Sequence, residues 1–234
     1  MKRTDIKNSG IAIILFLSSF YLLSCQKEVD PNTLSPAGGN GGAGNNTPGS
    51  FHPTSAGSWW KYKDTATGST STSTIVNRTK TINGILYTAI VGENSAQKDT
   101  AWIASPQPNY YMYEKGTSPN TGASYDVTFH YLNDTASVGY NWQYTAGQGN
   151  GFTAYIQTII VERNINMIVG GKSFNNVIHT RLIWSYDILG TVMEVMSYDY
   201  FIAKGVGIIK VRSEGQNLLS GFKACSDLID YSIK

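Results

Sequence analysis

From residue 57 onward the chain consists of short segments rich in β-branched and aromatic residues, separated by turn residues. Between Ile178 and Tyr186, every second position is apolar or aromatic except for Thr180, which gives the period of a strand with one buried face. No stretch after residue 24 has the spacing of an amphipathic helix. The pattern predicts an all-β fold: an antiparallel meander that forms a curved sheet, a half-barrel or a sandwich.

Turn signals divide this region into a series of predicted strands. Asn83-Gly84 is the strongest hairpin signal, and Gly170-Gly171 and Leu189-Gly190 mark two further tight turns. Such short connections favour antiparallel pairing of consecutive strands. The predicted strands span residues 58–63, 72–82, 85–91, 100–104, 110–114, 125–132, 141–145, 152–163, 174–186, 192–202, 207–212 and 228–233.

Four segments of the first half of this region recur in the second half. Residues 57–62 and 139–144 share the motif G-x-x-W-x-Y. The other matches join residues 74–78 with 159–163, 82–87 with 169–174, and 102–104 with 201–203. Insertions would explain why the offset between matched segments rises along the chain. We therefore hypothesise two β repeats, residues 57–115 and 139–212, in a single domain of residues 57–234; chance similarity among β-rich segments is the alternative.

The first 24 residues have the layout of a bacterial export signal. Basic residues precede an apolar run from Ile11 to Leu23, which is shorter than the roughly 20 residues that span a bilayer. The run ends in Leu22-Leu23-Ser24-Cys25, which resembles the lipobox of bacterial lipoproteins. The resemblance implies cleavage before Cys25 and acylation of this residue with fatty acids such as palmitate. The alternatives are an uncleaved membrane helix or an ordinary signal peptide in which the cysteine is incidental.

The residues that follow the cysteine carry two further resemblances. Gln26–Asp30 is similar to the lysine-plus-acidic signal of surface-exposed Bacteroidetes lipoproteins, and Tyr200–Lys210 to a segment found in Bacteroidetes lipoproteins with a single β domain and no assigned activity. These resemblances imply lipid anchoring to the outer membrane and display on the cell surface, with a periplasm-facing position as the alternative. Because residues 31–56 are dominated by Pro, Gly, Asn, Ser and Thr, we predict that residues 25–56 form the lipidated cysteine and a disordered tether.

Charge and cysteine content exclude several classes of function. Removing residues 1–24 leaves 210 residues and takes away three basic groups and one acid, so the formal net charge falls from +2 to 0. The mature chain, residues 25–234, therefore lacks the basic balance of a nucleic-acid-binding protein. With Cys25 acylated, Cys225 is the remaining cysteine, which excludes a disulfide framework and a cysteine-based metal site. We predict that Cys225 is a buried apolar residue; a reactive thiol is the alternative.

Residues that could carry catalysis or bind a metal form no recognisable motif. The histidines, His52, His130 and His179, have no spacing typical of metal ligands, so no metal or cofactor is predicted. Glu194 and Asp199 share a predicted strand but fall on opposite faces by parity, which disfavours a pair of carboxylates for glycoside hydrolysis. We therefore predict a protein that is not an enzyme, and a glycan hydrolase ranks third among the functions considered.

The leading functional hypothesis rests on the aromatic residues, because flat aromatic faces stack on the apolar faces of sugars. Since Trp59 and Trp60 face opposite ways, at most one of them can lie in the core. The candidate stacking residues are Trp59, Trp60, Trp102, Trp142, Trp184, Tyr110 and Tyr111. The predicted function is a binding or scaffolding module at the outer-membrane surface, with glycan capture as its specific form. The second hypothesis is a periplasm-facing carrier or assembly factor for lipids or lipoproteins, with an apolar ligand. Protein partners at the cell envelope are compatible with both hypotheses.

Overall fold

The computed structural model describes residues 49–94, 98–117 and 124–234. In this part of the chain, twelve antiparallel strands follow one another in chain order, and the sheet closes into a barrel because β1 also pairs with β12. The strands are β1 Trp59–Asp64, β2 Thr70–Ile82, β3 Ile85–Glu93, β4 Lys98–Ala104, β5 Asn109–Thr117, β6 Ser124–Asn133, β7 Asn141–Gly149, β8 Phe152–Val169, β9 Lys172–Ile188, β10 Thr191–Ala203, β11 Gly207–Gly215 and β12 Lys223–Ser232.

The predicted all-β antiparallel meander is confirmed, and each predicted strand overlaps an observed one. Closure into a twelve-stranded barrel is a finer form than the predicted curved sheet, half-barrel or sandwich. The β8–β9 hairpin is longer than predicted because β8 continues past Asn164, which has a φ of +54° beside irregular pairing between Glu162 and Ile165. Strand β12 begins at Lys223, five residues before its predicted start at Leu228.

Three predicted tight turns adopt the backbone that a two-residue hairpin favours. Asn83 and Gly84 have φ values of +49° and +79°. Leu189 and Gly190 follow the same pattern, as do Gly170 and Gly171. Positive φ at both central residues is the signature of a type I′ turn, whose twist matches that of the flanking strands. These local signals therefore fix where three pairs of strands reverse direction.

The barrel has two distinct ends. The proximal end carries both termini of the described chain and the β4–β5, β6–β7 and β10–β11 connections, and from it the β2–β3 and β8–β9 hairpins extend and fold back onto the barrel. The distal end carries the other six connections. Large aromatic side chains fill the space between the two ends, which makes the barrel interior a packed core. The largest of them are Trp60, Tyr110, Phe129, Tyr131, Trp184, Tyr198 and Tyr200.

The segment before β1 closes the proximal end of the barrel. Phe51 and His52 are buried; the backbone N–H of Phe51 donates to the Tyr110 hydroxyl, and the His52 ring bonds the Tyr131 hydroxyl. Burial lowers the pKa of His52 to about 4, so its ring is neutral at neutral pH. The prediction that the disordered tether continues to residue 56 is therefore wrong for residues 50–53. Apolar Phe51 gives this segment a side chain that the core can bury.

The segments matched between the two halves lie on corresponding strands. The G-x-x-W-x-Y motifs fall on β1 and β7, and the other matches fall on β2 and β8, on the β2–β3 and β8–β9 hairpins, and on β4 and β10. Each match is thus offset by six strands in a barrel of twelve. This order is the one that two tandem repeats would produce; superposition of the two halves remains the test of the hypothesis.

The predicted signal peptide, Cys25 and the tether up to residue 48 lie outside the described residues. Within the three described ranges, no helix is long and apolar enough to cross a membrane. Cys225 is buried on β12, with 4% of its surface exposed, as the sequence predicts.

Candidate functional site

The barrel wall splits where β6 meets β7. The two strands pair only from Tyr125 to Val127, whereas β7 stays paired with β8 along its length. Trp142 and Tyr144 lie opposite Thr158 and Ile156, which are buried on the inner face of β8. Beyond the split, the inner face of β7 therefore covers the outer face of β6. We call this overlap the seam.

Side chains replace the missing backbone hydrogen bonds at the seam. The Tyr144 hydroxyl donates to the Thr128 carbonyl at 2.9 Å and accepts the N–H of His130. The Thr158 hydroxyl donates to the His130 carbonyl at 2.9 Å. A buried backbone group without a hydrogen-bond partner is costly. These two side chains supply the partners, so β6 can separate from β7 without leaving these backbone groups unsatisfied. The hydroxyl of Tyr144 is thus structural, while its ring remains at the surface of the seam.

His130 lies between two aromatic rings in the seam. Its ring stacks on Tyr111 at 4.5 Å between centroids, and Trp142 lies 4.8 Å away on a tilted plane. Burial lowers the pKa of His130 to about 4, although a backbone hydrogen bond with Leu132 acts in the opposite direction. The imidazole is therefore neutral at neutral pH, with one nitrogen able to accept a hydrogen bond.

The β2–β3 hairpin packs on the outer faces of β4 and β5 beside the seam. Its Tyr87 meets Tyr113 edge-on at 6.2 Å between centroids. The Lys80 ammonium lies 4.3 Å from the ring centroids of both Trp102 and Tyr113, and Arg78 lies over the same tryptophan. Desolvation lowers the pKa of Lys80. These cation–π contacts hold the hairpin against the barrel wall and place a positive charge near the seam.

The hairpin, the outer faces of β5 and β6 and the start of β7 enclose a cleft of about 680 Å³, which we call the seam cleft. Its volume lies in the range of small-molecule sites. Aromatic rings dominate its walls, and polar side chains border them. The lining residues are Ile82, Asn83, Ile85, Tyr87, Tyr111, Tyr113, Asp126, Thr128, His130, Trp142, Gln143, Tyr144, Thr145, Ala146 and Gly147.

Two polar atoms of cleft-lining side chains have no hydrogen-bond partner. They are the Nε1–H of Trp142, a donor, and Nε2 of His130. The tryptophan of the matching G-x-x-W-x-Y motif on β1 differs, because Trp60 Nε1 donates to the Val206 carbonyl at 2.7 Å. Tyr62, the counterpart of Tyr144, likewise donates to the carbonyl of Ile208. The tryptophan and tyrosine of the β1 motif therefore both donate to backbone carbonyls, whereas the Trp142 N–H of the β7 motif is buried without a partner.

The structure separates the predicted stacking residues into three groups. Trp142 and Tyr111 line the cleft, and Trp102 lies beside it under the Lys80 ammonium. Trp59 is partly exposed on β1 and does not line the cleft. The remaining three, Trp60, Trp184 and Tyr110, are at most 1% exposed, so the prediction that they could stack on a ligand is wrong. Their inward strand positions make them core residues instead.

Sequence reasoning missed most of the other cleft residues, among them Tyr87, Asp126, His130 and Tyr144. Tyr144 belongs to the repeated G-x-x-W-x-Y motif, so comparison of the two copies could have identified it. His130 carries no local signal. It joins the site only because the β6–β7 ladder ends early and brings Trp142 over it.

A second cluster of titratable side chains lies away from the seam cleft. His179 lies between Glu162 and Asp199 on the outer wall, with its two ring nitrogens 3.2 and 2.8 Å from their carboxylates. Burial raises the pKa of Asp199, but hydrogen bonds from His179 and Arg181 outweigh it and lower that pKa overall. Among the described residues, no group of three or more His, Cys, Asp or Glu side chains is arranged to hold a metal ion.

The parity argument for Glu194 and Asp199 is wrong, because β10 bulges between Glu194 and Met196. The two residues pair with Ser185 and Arg181, which share one face of β9. Four residues of strand still separate their backbones by about 13 Å along the strand. Neither residue lines the seam cleft.

Comparison with known proteins finds distant structural similarity alone. No known protein family matches the sequence, and neither does any of the curated proteins compared with it. One similar solved structure is a candidate exported protein with a YmcC-like fold from Bacteroides fragilis, with 10% identity, a TM-score of 0.46, and coverage of 78% of this chain and 98% of that chain. Another is a candidate lipoprotein from Parabacteroides distasonis, with 8% identity, a TM-score of 0.45 and the same coverage of each chain.

Proposed function

We propose that this protein is a lipid-anchored, non-catalytic binding module of the outer membrane, displayed on the cell surface, that captures a glycan in the seam cleft. The observation that carries the proposal is the cleft itself, about 680 Å³ with walls of aromatic rings and a polar border. The aromatic faces stack on the apolar faces of sugar rings, and the border groups bond their hydroxyls.

The unpartnered atoms favour a glycan over an acyl chain. Trp142 Nε1 and His130 Nε2 are already buried without partners, and an acyl chain, which carries no hydrogen-bonding group along its length, would leave them so. A sugar hydroxyl both donates and accepts, so it would satisfy either atom once a shift of the Trp142 or His130 ring turned that buried atom toward the cleft. Gln143, Thr145 and Asp126 offer further donors and acceptors along the same walls. The carrier function predicted as runner-up lacks this complementarity.

The carboxylates near the cleft support a binding role without hydrolysis. Among the residues that line the cleft, Asp126 is the only one with a carboxylate, and the Lys115 ammonium lies 2.7 Å from it. Hydrolysis of a glycosidic bond generally takes two carboxyl groups flanking the bond. The cleft therefore suits capture and retention of a glycan.

Binding of soluble polysaccharides tests this function. The mature chain with Cys25→Ser is screened by affinity electrophoresis against neutral and acidic polysaccharides, and its affinity for the retarding glycan is then measured by calorimetry. We expect Trp142→Ala to weaken binding tenfold or more, about 1.4 kcal/mol, because it removes a stacking face. Trp59→Ala is the matched control, since Trp59 is partly exposed outside the cleft.

Three results would contradict the proposal. Equal loss in the two tryptophan variants would place the glycan elsewhere. A co-purifying lipid in the native mass spectrum, without retardation on any glycan, would favour the carrier function. Release of reducing ends from the bound glycan would make the protein an enzyme. Circular dichroism of each variant shows whether the barrel is intact.

The anchor has its own test. In the native host, the wild-type chain should fractionate with membranes, and Cys25→Ala should release it, because two or three acyl chains are needed for stable attachment. Protease added to intact cells should then digest the wild-type protein if it is displayed on the surface. Protection from protease would instead indicate the periplasm-facing alternative.

A further inference from the structure

Three cations lie together beside the seam cleft, where the β2–β3 hairpin covers the outer faces of β4 and β5. They are Arg78 and Lys80 of β2 and Lys115 of β5. Lys80 interacts electrostatically with the other two and, among the described residues, with one carboxylate, that of Asp126. Three cations less one carboxylate leave this group with a formal charge of +2. The mature chain as a whole has a formal net charge of 0, so the positive charge is local to this border of the cleft.

Lys80 stands at the edge of the cleft because residues around it line the cleft. It pairs across the hairpin with Tyr87, and its ammonium lies 4.3 Å from the ring centroid of Tyr113. Both tyrosines line the cleft, as does Ile82, two residues further along β2. The ammonium lies at the same distance from the ring of Trp102, so two aromatic rings hold it in place. A cation held in this way loses little further freedom when it binds an anion.

The nearby carboxylates do not cancel this positive charge. Asp126 Oδ2 lies 2.7 Å from the Lys115 ammonium, so these two charges offset each other. Asp99 and Glu114 are the other acidic residues of β4 and β5, and alternation along each strand places them on the inner face of the barrel wall. The two cations of β2 therefore remain on the outer face without an equal negative charge.

The surroundings of Lys80 also leave its own charge incompletely compensated. Burial lowers the pKa of the ammonium; Asp126 opposes this shift, and Lys115 and Arg78 add to it. Because the net direction is downward, the charged form of Lys80 is less stable here than in water. An anion bound beside Lys80 would stabilise that form, whereas a neutral hydroxyl would stabilise it less.

We infer that the glycan captured in the seam cleft is anionic, and that Lys80 and Arg78 select its carboxylate or sulfate groups. The inference rests on the glycan capture proposed above and adds the class of glycan. Sugar rings stacked on the aromatic walls would bring such groups alongside the Lys80 ammonium, which borders Tyr113. The exposed guanidinium of Arg78 lies 5.1 Å from the Trp102 ring centroid and donates to the Thr100 hydroxyl at 3.2 Å. Its other N–H groups are further donors for an anion.

Matched pairs of charged and neutral polysaccharides test the inference. The mature chain with Cys25→Ser is run by affinity electrophoresis through polygalacturonate and its carboxyl-reduced form, and through dextran sulfate and dextran. The first pair tests carboxylate recognition and the second tests sulfate recognition. Affinities for the retarding polymers are then measured by calorimetry at low and high NaCl concentrations. Lys80→Met removes the charge but keeps an unbranched side chain between the two rings, and Lys80→Arg keeps the charge. Lys204→Met, at an exposed position in the β10–β11 connection, is the control for the same change in net charge.

We expect the charged member of a pair to bind about tenfold more tightly than the neutral member at low salt, and this preference to shrink as salt screens the charges. Lys80→Met should weaken binding of the charged polymer about three- to fivefold and leave binding of the neutral polymer unchanged. Lys80→Arg should retain the preference, and Lys204→Met should have no effect.

Several outcomes would overturn the inference. Equal affinities for the charged and neutral members, or equal losses in Lys80→Met and Lys204→Met, would do so while leaving glycan capture intact, provided that Trp142→Ala still weakens binding. Equal loss of charged and neutral polymer binding in Lys80→Met would show that Lys80 only holds the hairpin in place. Absence of retardation by every polysaccharide, neutral or charged, would instead contradict glycan capture itself, and the inference with it.

Discussion

The hydroxyl of Tyr144 allows the barrel wall to split, and its removal should therefore destabilise the protein. It bonds two backbone groups of β6, the Thr128 carbonyl and the His130 N–H. In Tyr144→Phe both groups remain buried without a partner, at about 1–3 kcal/mol for each unsatisfied group. We expect a loss of about 2–4 kcal/mol in the free energy of unfolding, which corresponds to a fall in Tm of roughly 5–15 °C for a chain of this size.

A second tyrosine provides a matched control for the same chemical change. Tyr200 is 1% exposed, and its hydroxyl has no hydrogen-bond partner. Tyr200→Phe removes a buried polar atom without orphaning another group, so we expect a change within about 0.5 kcal/mol, or a gain in stability. Urea unfolding of the mature chain with Cys25→Ser, followed by circular dichroism, measures both variants. Equal losses in the two, or no loss in Tyr144→Phe, would refute the role of side chains in sealing the seam.

Three further predictions concern pH and backbone. Burial lowers the pKa of His52 from 6.5 to about 4, so the unfolded chain takes up this proton before the folded chain does as the pH falls. The free energy of unfolding should therefore drop between pH 6.5 and pH 4, and it should drop less steeply in His52→Gln. Burial, aided by the Asp99 charge, raises the pKa of Glu114 from 4.5 to about 8, so the free energy of unfolding should fall as the pH rises between these values. Glu114→Gln should remove this loss. If the dependence of the urea midpoint on pH were unchanged in His52→Gln or in Glu114→Gln, the corresponding assignment would be contradicted. Gly170→Ala should lower Tm more than Gly171→Ala, since its Cβ would lie 2.2 Å from the Leu228 carbonyl oxygen, whereas a Cβ at position 171 meets no atom within 4 Å; equal shifts on thermal unfolding would refute this.

Much of the fold could be predicted because its signals are local. Alternation between Ile178 and Tyr186 marks the buried face of β9, and Asn83-Gly84 and Leu189-Gly190 specify turns whose φ values only certain residues adopt comfortably. In a meander each strand pairs with its neighbours in the chain, so the order of the sheet follows from the order of the strands. Closure did not follow, because the pairing of β1 with β12 joins the two ends of the domain and depends on the accumulated twist of every strand between them.

The candidate site was predicted only in part, because aromatic residues serve both cores and binding surfaces. Alternation correctly indicated that Trp59 and Trp60 face opposite ways, but it could not reveal that Trp184 faces the core while Trp142 lines a cleft. A β-bulge changes which face of the sheet the following side chains occupy, and it has no clear signal in the sequence. The bulge between Glu194 and Met196 is an example. One inserted residue reverses the face of every residue beyond it.

The sequence by itself determined where the strands lie and three of their turns, since each of these depends on neighbouring residues. It also predicts the export signal and the lipid anchor, which are linear signals read before folding. Only the tertiary structure decided that Phe51 and His52 close the proximal end and that His130 meets Trp142 beside Tyr111. These contacts join residues that the chain keeps apart, and they form where the barrel departs from regular pairing: beyond Val127, the early end of the β6–β7 ladder opens the space that the seam cleft occupies.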